Sequence, residues 1–557
     1  MNNLAWADAF VAGLAAAGLR RAVIAPGARS SPLAAACLRR PELSCEVIAD
    51  ERVAGFFALG LARAEGWPAV VVTTSGTAAA NLLPAVVEAN LAGVPMIVLT
   101  ADRPPEVHGW SANQTVDQAR LYGVHVRAFH ALPTPNAATP VGYLHALAAR
   151  MAEESISPSS SSSPGPVHAN LPFREPLLPD AIPPAPPLPS PVAVRHATAF
   201  PAEADAAVLA ERLSGRRGAI LCGEAAYPAG FGAAICALAA RLGAPVLAEP
   251  LSNLRSGGLP VFARQSAFLR DANGFRPDWV LRFGGLPVSR TLERWLSGLT
   301  EAEHILVAPP GRWPDPLWRA GRLLRCDPLA LVERLIEQPL RSAPGDWLEA
   351  FRAAEARLDA AARAACASDA PFEGSVAAAL LSALPKGARC FVGNSLAIRA
   401  VDLFSGTGAK AFMLHGNRGA SGIDGNIATA AGIAAGSGRP TAALIGDQAA
   451  LHDCGGFAAL AGRNAVIVVM NNGGGGIFDH LPLSAIKRAH FERAWVAPPR
   501  LDFAALAAAH GLAFHHAPTC AALAAALGAA FDEGGSWLIE VPIDRAVSKA
   551  RFDAFFA

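Results

Sequence analysis

Two side chains in the C-terminal part of the sequence, Asp447 and Asn472, carry oxygens suited to binding a divalent metal ion. Asp447 follows an apolar run at residues 441–445, and Asn472 follows a second run about 25 residues further on. Mg²⁺ prefers oxygen ligands and commonly joins protein carboxylates to phosphate groups. Together with the backbone carbonyl of Gly474, these side chains predict an ion that holds a phosphate tail against the chain.

The glycines beside these residues admit other interpretations. Gly446-Asp447 and Asn472-Gly473 are turn-favouring pairs, so either piece alone is more typical of a plain turn. The four glycines at 473–476 do not spell GxGxxG at the start of a helix, which disfavours a nicotinamide site. On consecutive predicted strands, however, the two pieces resemble the diphosphate-binding motif of thiamine-diphosphate enzymes, where glycine lets the diphosphate approach the backbone.

Glu51 is the candidate for activating that cofactor. The aminopyrimidine ring of thiamine diphosphate removes the C2 proton only as its imino tautomer, which an acid hydrogen-bonded to ring nitrogen N1′ stabilises. Glu51 begins a predicted helix after Asp50 and is followed by Arg52 and then by apolar residues, a setting in which a carboxyl group can act as the acid. The alternative is that Glu51 only compensates the helix dipole, as acids in first turns commonly do.

Alternating strands and helices must position these residues. Continuous apolar strands separated by helices indicate parallel sheets covered on both faces. The predicted strands lie at residues 21–25, 46–48, 69–74, 95–100, 218–221, 245–248, 279–283, 304–307, 389–392, 441–445, 465–470 and 537–541. The predicted helices near the candidate residues lie at 32–39, 51–64, 78–92 and 455–462. A right-handed crossover brings the ends of consecutive strands to one sheet edge, where doubly wound sheets bind ligands.

Proline-rich and polar segments divide the chain into three parts. Seven prolines between 179 and 191 predict an extended linker, and the serines at 157–163 predict a surface loop. The fold class expected is α/β, with three doubly wound parallel-sheet domains at residues 1–180, 192–340 and 346–557. The first and third segments could share one topology.

Composition restricts the classes of partner. The chain is 557 residues long, 52% hydrophobic and 17% charged, with a net charge of +1. Such a balance favours folded domains and gives no bulk attraction to nucleic acid or anionic membranes. No apolar run is long enough to span a membrane. Nine cysteines without a CxxC pair are typical of reduced thiols, which favours a cytoplasmic protein.

Longer blocks of sequence resemble one family of thiamine-diphosphate-dependent enzymes. The blocks with this likeness are APGARSSPL at 25–33, DER at 50–52, TSGTAAAN at 74–81, LTADRPPE at 99–106, ANQ at 112–114, GPVHANLPFREP at 165–176 and NRGASGIDG at 417–425. They are similar, in order and over nearly the whole chain, to 2-succinyl-5-enolpyruvyl-6-hydroxy-3-cyclohexene-1-carboxylate synthases of menaquinone biosynthesis. The resemblance implies a pyrimidine-binding, a central and a diphosphate- and Mg-binding domain.

The resemblance also implies a reaction and an assembly. The implied carboligase decarboxylates 2-oxoglutarate on thiamine diphosphate and adds the resulting succinyl-semialdehyde carbanion to isochorismate. The cofactor ion is Mg²⁺, with Mn²⁺ as the alternative. The implied assembly is a homodimer or homotetramer with active sites between chains, in which Glu51 of one chain faces Asp447 and Asn472 of another.

Site residues follow by matching motif positions. The expected metal ligands are Asp447, Asn472 and Gly474. The expected cofactor-binding residues are Glu51, Ser75, Gly76, Ile423, Gly446, Asp447, Asn472, Gly474 and Ile477. The expected substrate-binding residues are Arg29, Arg103, Asn113, Gln114, Arg290, Ser395, Arg399, Arg418, Ile477 and Phe478. Arginine suits this role because both substrates are dicarboxylates. Surface charge is the alternative for any single arginine, and core packing is the alternative for Ile423.

Two departures from the family pattern and two rival functions remain. Ala28 stands where the family usually has serine, and Gln448-Ala449 where it often has Leu-Ser. One rival is another thiamine-diphosphate-dependent decarboxylase or carboligase, similar to acetohydroxyacid synthase. The other is a catalytically dead regulatory paralogue, which the intact Glu51 and metal set disfavour.

Overall fold

The strands form three parallel sheets that follow one another along the chain, as the alternation of strands and helices predicts. The computed structural model describes residues 2–156, 163–271 and 274–556. The loop predicted at 157–163 lies outside the described residues except for Ser163, which is buried. Across the described part of the chain, no helix is both long and apolar enough to cross a bilayer.

The strands of the described residues are β1 (Arg21–Ile24), β2 (Ser44–Val47), β3 (Ala69–Thr73), β4 (Met96–Asp102), β5 (Phe129–Ala131), β6 (Pro166–Pro172), β7 (Gly218–Cys222), β8 (Val246–Ala248), β9 (Trp279–Phe283), β10 (Glu303–Val307), β11 (Arg322–Leu324), β12 (Arg389–Val392), β13 (Met413–His415), β14 (Thr441–Gly446), β15 (Ala465–Asn471), β16 (Ala513–His516) and β17 (Ser536–Pro542). The twelve predicted strands are therefore present, with ends shifted by at most two residues.

The helices of the described residues are α1 (Asn3–Ala16), α2 (Ser31–Leu38), α3 (Glu51–Glu65), α4 (Thr77–Asn81), α5 (Leu83–Ala92), α6 (Val141–Ile156), α7 (Glu203–Leu213), α8 (Phe231–Leu242), α9 (Gln265–Phe268), α10 (Arg290–Gly298), α11 (Pro328–Glu337), α12 (Gly345–Cys366), α13 (Glu373–Ala383), α14 (Leu396–Phe404), α15 (Asn426–Ser437), α16 (Asp447–His452), α17 (Arg488–Phe491), α18 (Phe503–Ala509), α19 (Cys520–Glu533) and α20 (Arg545–Phe556). Short 3₁₀ segments lie between them, among them Cys454–Leu460 and Gly476–His480.

Two predicted helices differ in extent. The helix predicted at 78–92 is divided into α4 and α5, because Pro84 in the first turn of α5 cannot donate a backbone hydrogen bond. The helical stretch predicted at 455–462 is present as a 3₁₀ helix from Cys454 to Leu460, but the α-helix before it was not predicted. The chain turns helical at once at Asp447, and the later segment is a 3₁₀ helix that begins at Cys454. Asp447 therefore lies in the first turn of α16, where a carboxylate meets the positive end of the helix dipole.

The first and third sheets have the same strand order. The first runs β2-β1-β3-β4-β6-β5, and the third runs β13-β12-β14-β15-β17-β16. The two segments therefore share one topology. In both sheets a helix follows the strand at one edge, namely α3 after β2 and α15 after β13. The middle sheet is different, with five strands in the order β11-β10-β9-β7-β8.

The chain divides into two compact units. The first contains Met1–His196, Asn417–Arg439 and His452–Ala465, and the second contains the remaining segments. The domain boundaries predicted near residues 180–192 and 340–346 remain predictions. In the first unit, buried strand residues such as Val72 and Leu99 form the core, and burying each such side chain stabilises the fold by about 1.5–3 kcal/mol.

Within the first unit, α3 packs against α15 through glycines. A Cβ atom at Gly60 would lie 2.2 Å from the backbone oxygen of Thr429, and one at Gly432 would lie 2.1 Å from the oxygen of Phe57. Contacts also join Phe56 to Gly425, nearer the start of both helices. The matching order of these contacts means that the two helices run in the same direction, with their backbones touching.

Candidate active site

Asp447 lies buried just past the end of β14, and β15 is the neighbouring strand. Its Oδ2 accepts a 2.7 Å hydrogen bond from the N–H of Gly474, and its Oδ1 accepts one of 2.7 Å from the N–H of Gln448. Burial raises the pKa of Asp447 to about 6, although the backbone N–H groups oppose the shift. A bound cation would favour the ionised carboxylate. Gly446 is the last residue of β14 and places this carboxylate at the sheet edge.

Asn472 provides an oxygen with no partner in the protein. Its Nδ2 donates a 2.8 Å hydrogen bond to Glu373, which also accepts a hydrogen bond from the Ser548 hydroxyl. Fixing the amide nitrogen on Glu373 leaves Asn472 Oδ1 buried and unpaired. Buried polar atoms nearly always have a partner, so this oxygen is suited to bind a metal ion.

Gly474 requires glycine for two reasons. Its φ is +127°, and a Cβ atom there would lie 2.2 Å from the oxygen of Val496. The Gly474 carbonyl accepts a hydrogen bond from Gly476, which leaves its second lone pair for a metal. Among the described residues no group of three or more His, Cys, Asp or Glu is placed to bind a metal. A site of one carboxylate, one amide oxygen and one carbonyl is instead typical of Mg²⁺ shared with a phosphate group.

Gln448, which departs from the family pattern, holds a neighbouring segment of backbone. Its side-chain amide donates to the carbonyl oxygens of Val496 and Ala497. Gly475 N–H donates to the same Val496 oxygen over 2.8 Å. The substitution therefore keeps the chain at 496–497 against the glycine turn.

Glu51 is the first residue of α3 and is partly buried. Its neighbour Asp50 caps the helix by accepting the N–H of Arg52 and pairs with the Arg52 guanidinium over 2.6 Å. This hydrogen-bonded arginine lowers the pKa of Asp50. Glu51 instead accepts a 3.1 Å hydrogen bond from Asn81 Nδ2. The capping role thus belongs to Asp50, and Glu51 is left for another function.

The turn after β3 brings Ser75 and Gly76 together with Gln114. Ser75 Oγ donates to the Gln114 carbonyl over 3.0 Å, and Gln114 Nε2 donates to the Ser75 carbonyl over 2.9 Å. Gly76 has a φ of +85°, and a Cβ atom there would lie 2.9 Å from Gln114 Cγ. Asn113 is exposed beside them. Three of these four predicted site residues therefore make direct contacts.

Arg29 and Arg103 converge in the same unit. Arg29 is buried, donates to the carbonyl of Phe173 over 2.9 Å and pairs with Glu175 over 2.9 Å. Burial and then the charge of Arg103 lower the pKa of Arg29. The Nε atoms of both arginines are buried without a partner. Two guanidinium groups with spare donors match what a carboxylate substrate needs.

Arg418 is held in place by a buried acid that sequence reasoning did not identify. The Glu88 carboxylate accepts the N–H groups of Gly419 and Ala420 over 2.9 and 2.6 Å and pairs with Arg63 over 3.1 Å. A charged residue within the mostly apolar α5 was the one sequence signal that marked it.

Ile423 lies before α15 with 39% of its surface exposed, so it is not a core residue of this unit. Asn426 Nδ2 donates to the Ile423 carbonyl over 2.5 Å. The buried Asp453 carboxylate accepts the N–H groups of Ile427 and Ala428 over 2.7 and 2.9 Å. Asn426 and Asp453 were also missed from the sequence, and together they fix the turn that presents Ile423.

Ser395 and Arg399 lie one helical turn apart, as expected if their segment is helical. Ser395 precedes α14 with a φ of +64°, which is rare outside glycine and costs about 1–3 kcal/mol. Arg399 donates to the Ser395 carbonyl over 2.7 Å. Such strain, next to predicted substrate residues, is typical of functional sites.

The remaining predicted residues lie in the second unit. Arg290 is the first residue of α10 and is exposed. Ile477 and Phe478 lie in the 3₁₀ segment Gly476–His480 and are partly buried. The Phe478 ring lies 2.6 Å from where a Cβ atom of Gly475 would be, which places the ring beside the glycine turn. The described contacts do not join Arg290 to the other predicted residues.

Sequence comparisons find known proteins that are similar over nearly the whole chain. The family described as "Thiamine pyrophosphate enzyme, N-terminal TPP binding domain" matches residues 5–121, and the corresponding C-terminal TPP binding domain matches residues 395–541. A protein of Dechloromonas aromatica is 44% identical over 553 residues, covering 97% of this chain and 98% of that protein. One of Chloroflexus aurantiacus is 42% identical over 553 residues, covering 96% and 93%. Both are named 2-succinyl-5-enolpyruvyl-6-hydroxy-3-cyclohexene-1-carboxylate synthase.

Solved structures agree on the fold. A putative thiamin diphosphate-dependent enzyme from Mycobacterium smegmatis has a TM-score of 0.70 at 19% identity, covering 97% of this chain and 99% of that one. Benzoylformate decarboxylase from Polynucleobacter necessarius has a TM-score of 0.69 at 16% identity, covering 98% and 99%.

Proposed function

Because this chain belongs to the family of 2-succinyl-5-enolpyruvyl-6-hydroxy-3-cyclohexene-1-carboxylate synthases, thiamine-diphosphate-dependent carboligases of menaquinone biosynthesis, we propose that it joins 2-oxoglutarate to isochorismate with release of carbon dioxide. The observation that carries the proposal is the set of oxygens on Asp447, Asn472 and Gly474 past two neighbouring strands. These oxygens suit an ion bound to a diphosphate. Thiamine diphosphate, when bound, supplies the nucleophilic carbon and the electron sink for decarboxylation.

Mg²⁺ is the proposed ion, with Mn²⁺ as the alternative. Asp447 Oδ2, the unpaired Asn472 Oδ1 and the Gly474 carbonyl are the proposed ligands. Gly446 lets the phosphate tail approach the end of β14. The orphan oxygen of Asn472 supports this assignment because an unpaired buried acceptor costs about 1–3 kcal/mol unless a ligand satisfies it.

The other residues have distinct proposed roles. Glu51 holds a proton at ring nitrogen N1′, and Ser75 and Gly76 contact the pyrimidine ring. Ile423 would contact the bound cofactor with its exposed side chain. Ile477 and Phe478 would exclude water, a proton source that competes with carbon–carbon bond formation.

Both proposed substrates carry two carboxylates. Arg29 and Arg103 are the best supported carboxylate partners, because both have buried Nε–H groups without an acceptor. The remaining proposed substrate-binding residues are Asn113, Gln114, Arg290, Ser395, Arg399 and Arg418.

We further propose the domain roles, the assembly and the location. Residues 1–180 bind the pyrimidine, 192–340 form the central domain and 346–557 bind the diphosphate and Mg²⁺. The chain forms a homodimer or homotetramer whose active sites lie between chains, with Glu51 of one facing Asp447 and Asn472 of another. A cytoplasmic location is supported by nine free cysteines.

Mass spectrometry of the product from 2-oxoglutarate and isochorismate tests the reaction. We expect one product whose mass equals the sum of both substrates less carbon dioxide, and its absence would contradict the proposal. Turnover of pyruvate alone would favour an enzyme similar to acetohydroxyacid synthase. A calorimetric titration without heat from thiamine diphosphate and Mg²⁺ would favour a dead regulatory paralogue.

Mixing two inactive variants tests the shared site. Random exchange between Glu51→Gln chains and Asp447→Ala chains produces mixed dimers. In each mixed dimer, one of the two sites between the chains combines an intact Glu51 with an intact Asp447. If sites lie between chains, about one quarter of wild-type activity should return. If each chain holds a complete site, no activity should return.

A further inference from the structure

Gln118 is a fully buried amide at the edge of the first sheet that sequence reasoning did not identify. Its Oε1 accepts the N–H of Gly76 over 2.9 Å. Its Nε2 donates to the Ala101 carbonyl over 3.2 Å and to Asn170 Oδ1 over 2.9 Å. One side chain therefore joins the ends of β3, β4 and β6, which are neighbours in the sheet.

The network continues from Asn170 to a substrate arginine. Asn170 Nδ2 donates to Asp102 Oδ2 over 2.7 Å. The other oxygen of Asp102 accepts the backbone N–H of Arg103 over 2.7 Å. Asn170 Oδ1 also accepts the Thr100 hydroxyl over 2.8 Å. An unbroken chain of hydrogen bonds, buried at Gln118 and partly buried from Asn170 onward, thus leads from Gly76 to Arg103.

Only one orientation of each amide satisfies this network. Gly76 offers a donor and Ala101 an acceptor, so Gln118 must present oxygen to the first and nitrogen to the second. Asp102 offers only acceptors when ionised, so Asn170 must turn its nitrogen toward it and its oxygen toward Gln118. Satisfied buried networks of this kind are rigid, since any rotation leaves polar groups unpaired.

We infer that Gln118 is a positioning residue that fixes the cofactor turn Ser75–Gly76 in register with the substrate arginine Arg103. The inference rests on the proposed function, because that function assigns the roles of Gly76 and Arg103. Gln118 itself has no exposed surface and acts through the backbone that it holds. A site held in this way before ligands arrive loses less entropy on binding.

Gln118→Met tests the role, because it retains the length of the side chain and removes its polar atoms. Ser155→Ala is the matched control. Ser155 is also fully buried, and its hydroxyl joins the Met96 N–H to the Gly165 carbonyl beside the opposite ends of β4 and β6. Both variants should lower the Tm, since each leaves buried backbone groups unpaired.

The binding measurements separate positioning from a purely structural effect. We expect Gln118→Met to raise the calorimetric Kd for thiamine diphosphate with Mg²⁺, and the KM for the dicarboxylate substrates, by about tenfold each. Ser155→Ala should leave both within about twofold of wild type. Equal changes in the two variants, or an unchanged Kd and KM in Gln118→Met, would overturn the inference.

A second variant and the wild-type control complete the test. If Gln118→Met fails to fold, Gln118→Asn keeps the amide but is one methylene too short to reach all three partners, and the same weakened binding is expected. Wild-type Kd and KM in a folded Gln118→Asn would contradict the role. If the wild-type chain binds thiamine diphosphate but makes no carboligation product, the proposed reaction fails, while the Kd comparison still decides the role of Gln118.

Discussion

At the scale of single residues, two pairs of neighbouring polar side chains divide local stability and candidate chemistry between their members. Asp50 caps α3 and pairs with Arg52, so Glu51 is free to face a ligand. Glu373 accepts a hydrogen bond from the amide nitrogen of Asn472, so the amide oxygen is left for the proposed metal site. In both pairs, one carboxylate provides local stability and thereby leaves its neighbour's oxygen for chemistry.

Glu51→Gln should retain cofactor binding and lose most activity. The amide is nearly the same size, but it cannot hold the proton that N1′ requires, and general acid–base groups contribute about 10²–10⁴-fold. Calorimetry and initial rates measure the two effects. Glu65→Gln is the control, because Glu65 lies at the other end of α3 in a partly exposed pair with Arg21. Near-wild-type turnover in Glu51→Gln would rule out the assignment.

Asp447→Ala should lose the Mg²⁺-dependent part of cofactor affinity, because the ion loses its one carboxylate ligand. Titrations with and without Mg²⁺ measure that difference. The control is Asp502→Ala, which removes the cap of α18 in the same unit and should cost about 1 kcal/mol of stability without changing the response to Mg²⁺. An unchanged Mg²⁺ dependence in Asp447→Ala would refute the metal site.

At the scale of elements, α3 and α15 depend on each other. Their backbones touch at Gly60 and Gly432, and both helices begin next to predicted cofactor residues, Glu51 and Ile423. Any widening of this contact displaces both helix starts. Close helix packing is thus a requirement of the site as well as of the core.

Gly60→Ala should destabilise the protein by about 1–3 kcal/mol, because the added methyl group overlaps the Thr429 carbonyl. Gly528→Ala is the control in the interior of α19, where an added Cβ atom has open space and alanine is the better helix former by about 1 kcal/mol. Thermal unfolding compares them. Equal or greater Tm in Gly60→Ala would contradict the contact.

Asp453, whose carboxylate accepts hydrogen bonds from the first N–H groups of α15, should make the free energy of unfolding depend on pH. Burial, with the like charges of Asp424 and Asp50, raises its pKa from 3.8 to about 7. Because the folded pKa lies above the unfolded one, the stabilising contribution is present below pH 4 and is lost as the pH rises toward 7. Asp453→Asn retains an oxygen for the two backbone N–H groups but does not titrate.

Thermal unfolding between pH 5 and 8 measures this dependence. The Tm of the wild type should fall relative to that of Asp453→Asn as the pH rises through this range. Parallel Tm curves for the two proteins would show that Asp453 does not titrate there.

At the scale of the whole molecule, cofactor binding should be visible as heat stability. A ligand at 100 times its Kd that binds only the folded state adds about 2.7 kcal/mol. Thiamine diphosphate with Mg²⁺ should therefore raise the Tm, and a chelator should remove most of the increase. The chelator alone should leave the cofactor-free chain unchanged, since the described residues contain no group of three or more His, Cys, Asp or Glu placed to bind a metal. A chelator-resistant increase would contradict metal-dependent binding.

Much of the fold can be predicted from local sequence patterns. Runs such as the one containing Val70, Val71 and Val72 specify buried parallel strands without reference to the rest of the chain, and polar residues just past such runs predict the sheet edge. The positions of Asp447, Asn472 and Glu51 past strand ends were predictable for this reason, and their roles stay proposals.

Residues whose roles depend on contacts between distant parts of the chain could not be identified from the sequence. Glu88 gains its role from Gly419 and Ala420, more than 300 residues away, and Gln118 from three strand ends that meet only in the fold. No period or spacing records such contacts. The helical stretch predicted at 455–462 takes the form of a 3₁₀ helix, and Asp453 just before it turns inward to bind the start of α15, a contact that no local pattern indicates.

The repeated strand order restricts which residues of this chain can vary. The shared strand order places the equivalent helices α3 and α15 side by side, and the predicted cofactor residues Glu51 and Ile423 lie at or just before their first residues. A side chain at Gly60 or Gly432 would overlap the backbone of the opposite helix, so these two positions tolerate almost no variation. Natural variants of this chain should therefore keep glycine at both positions.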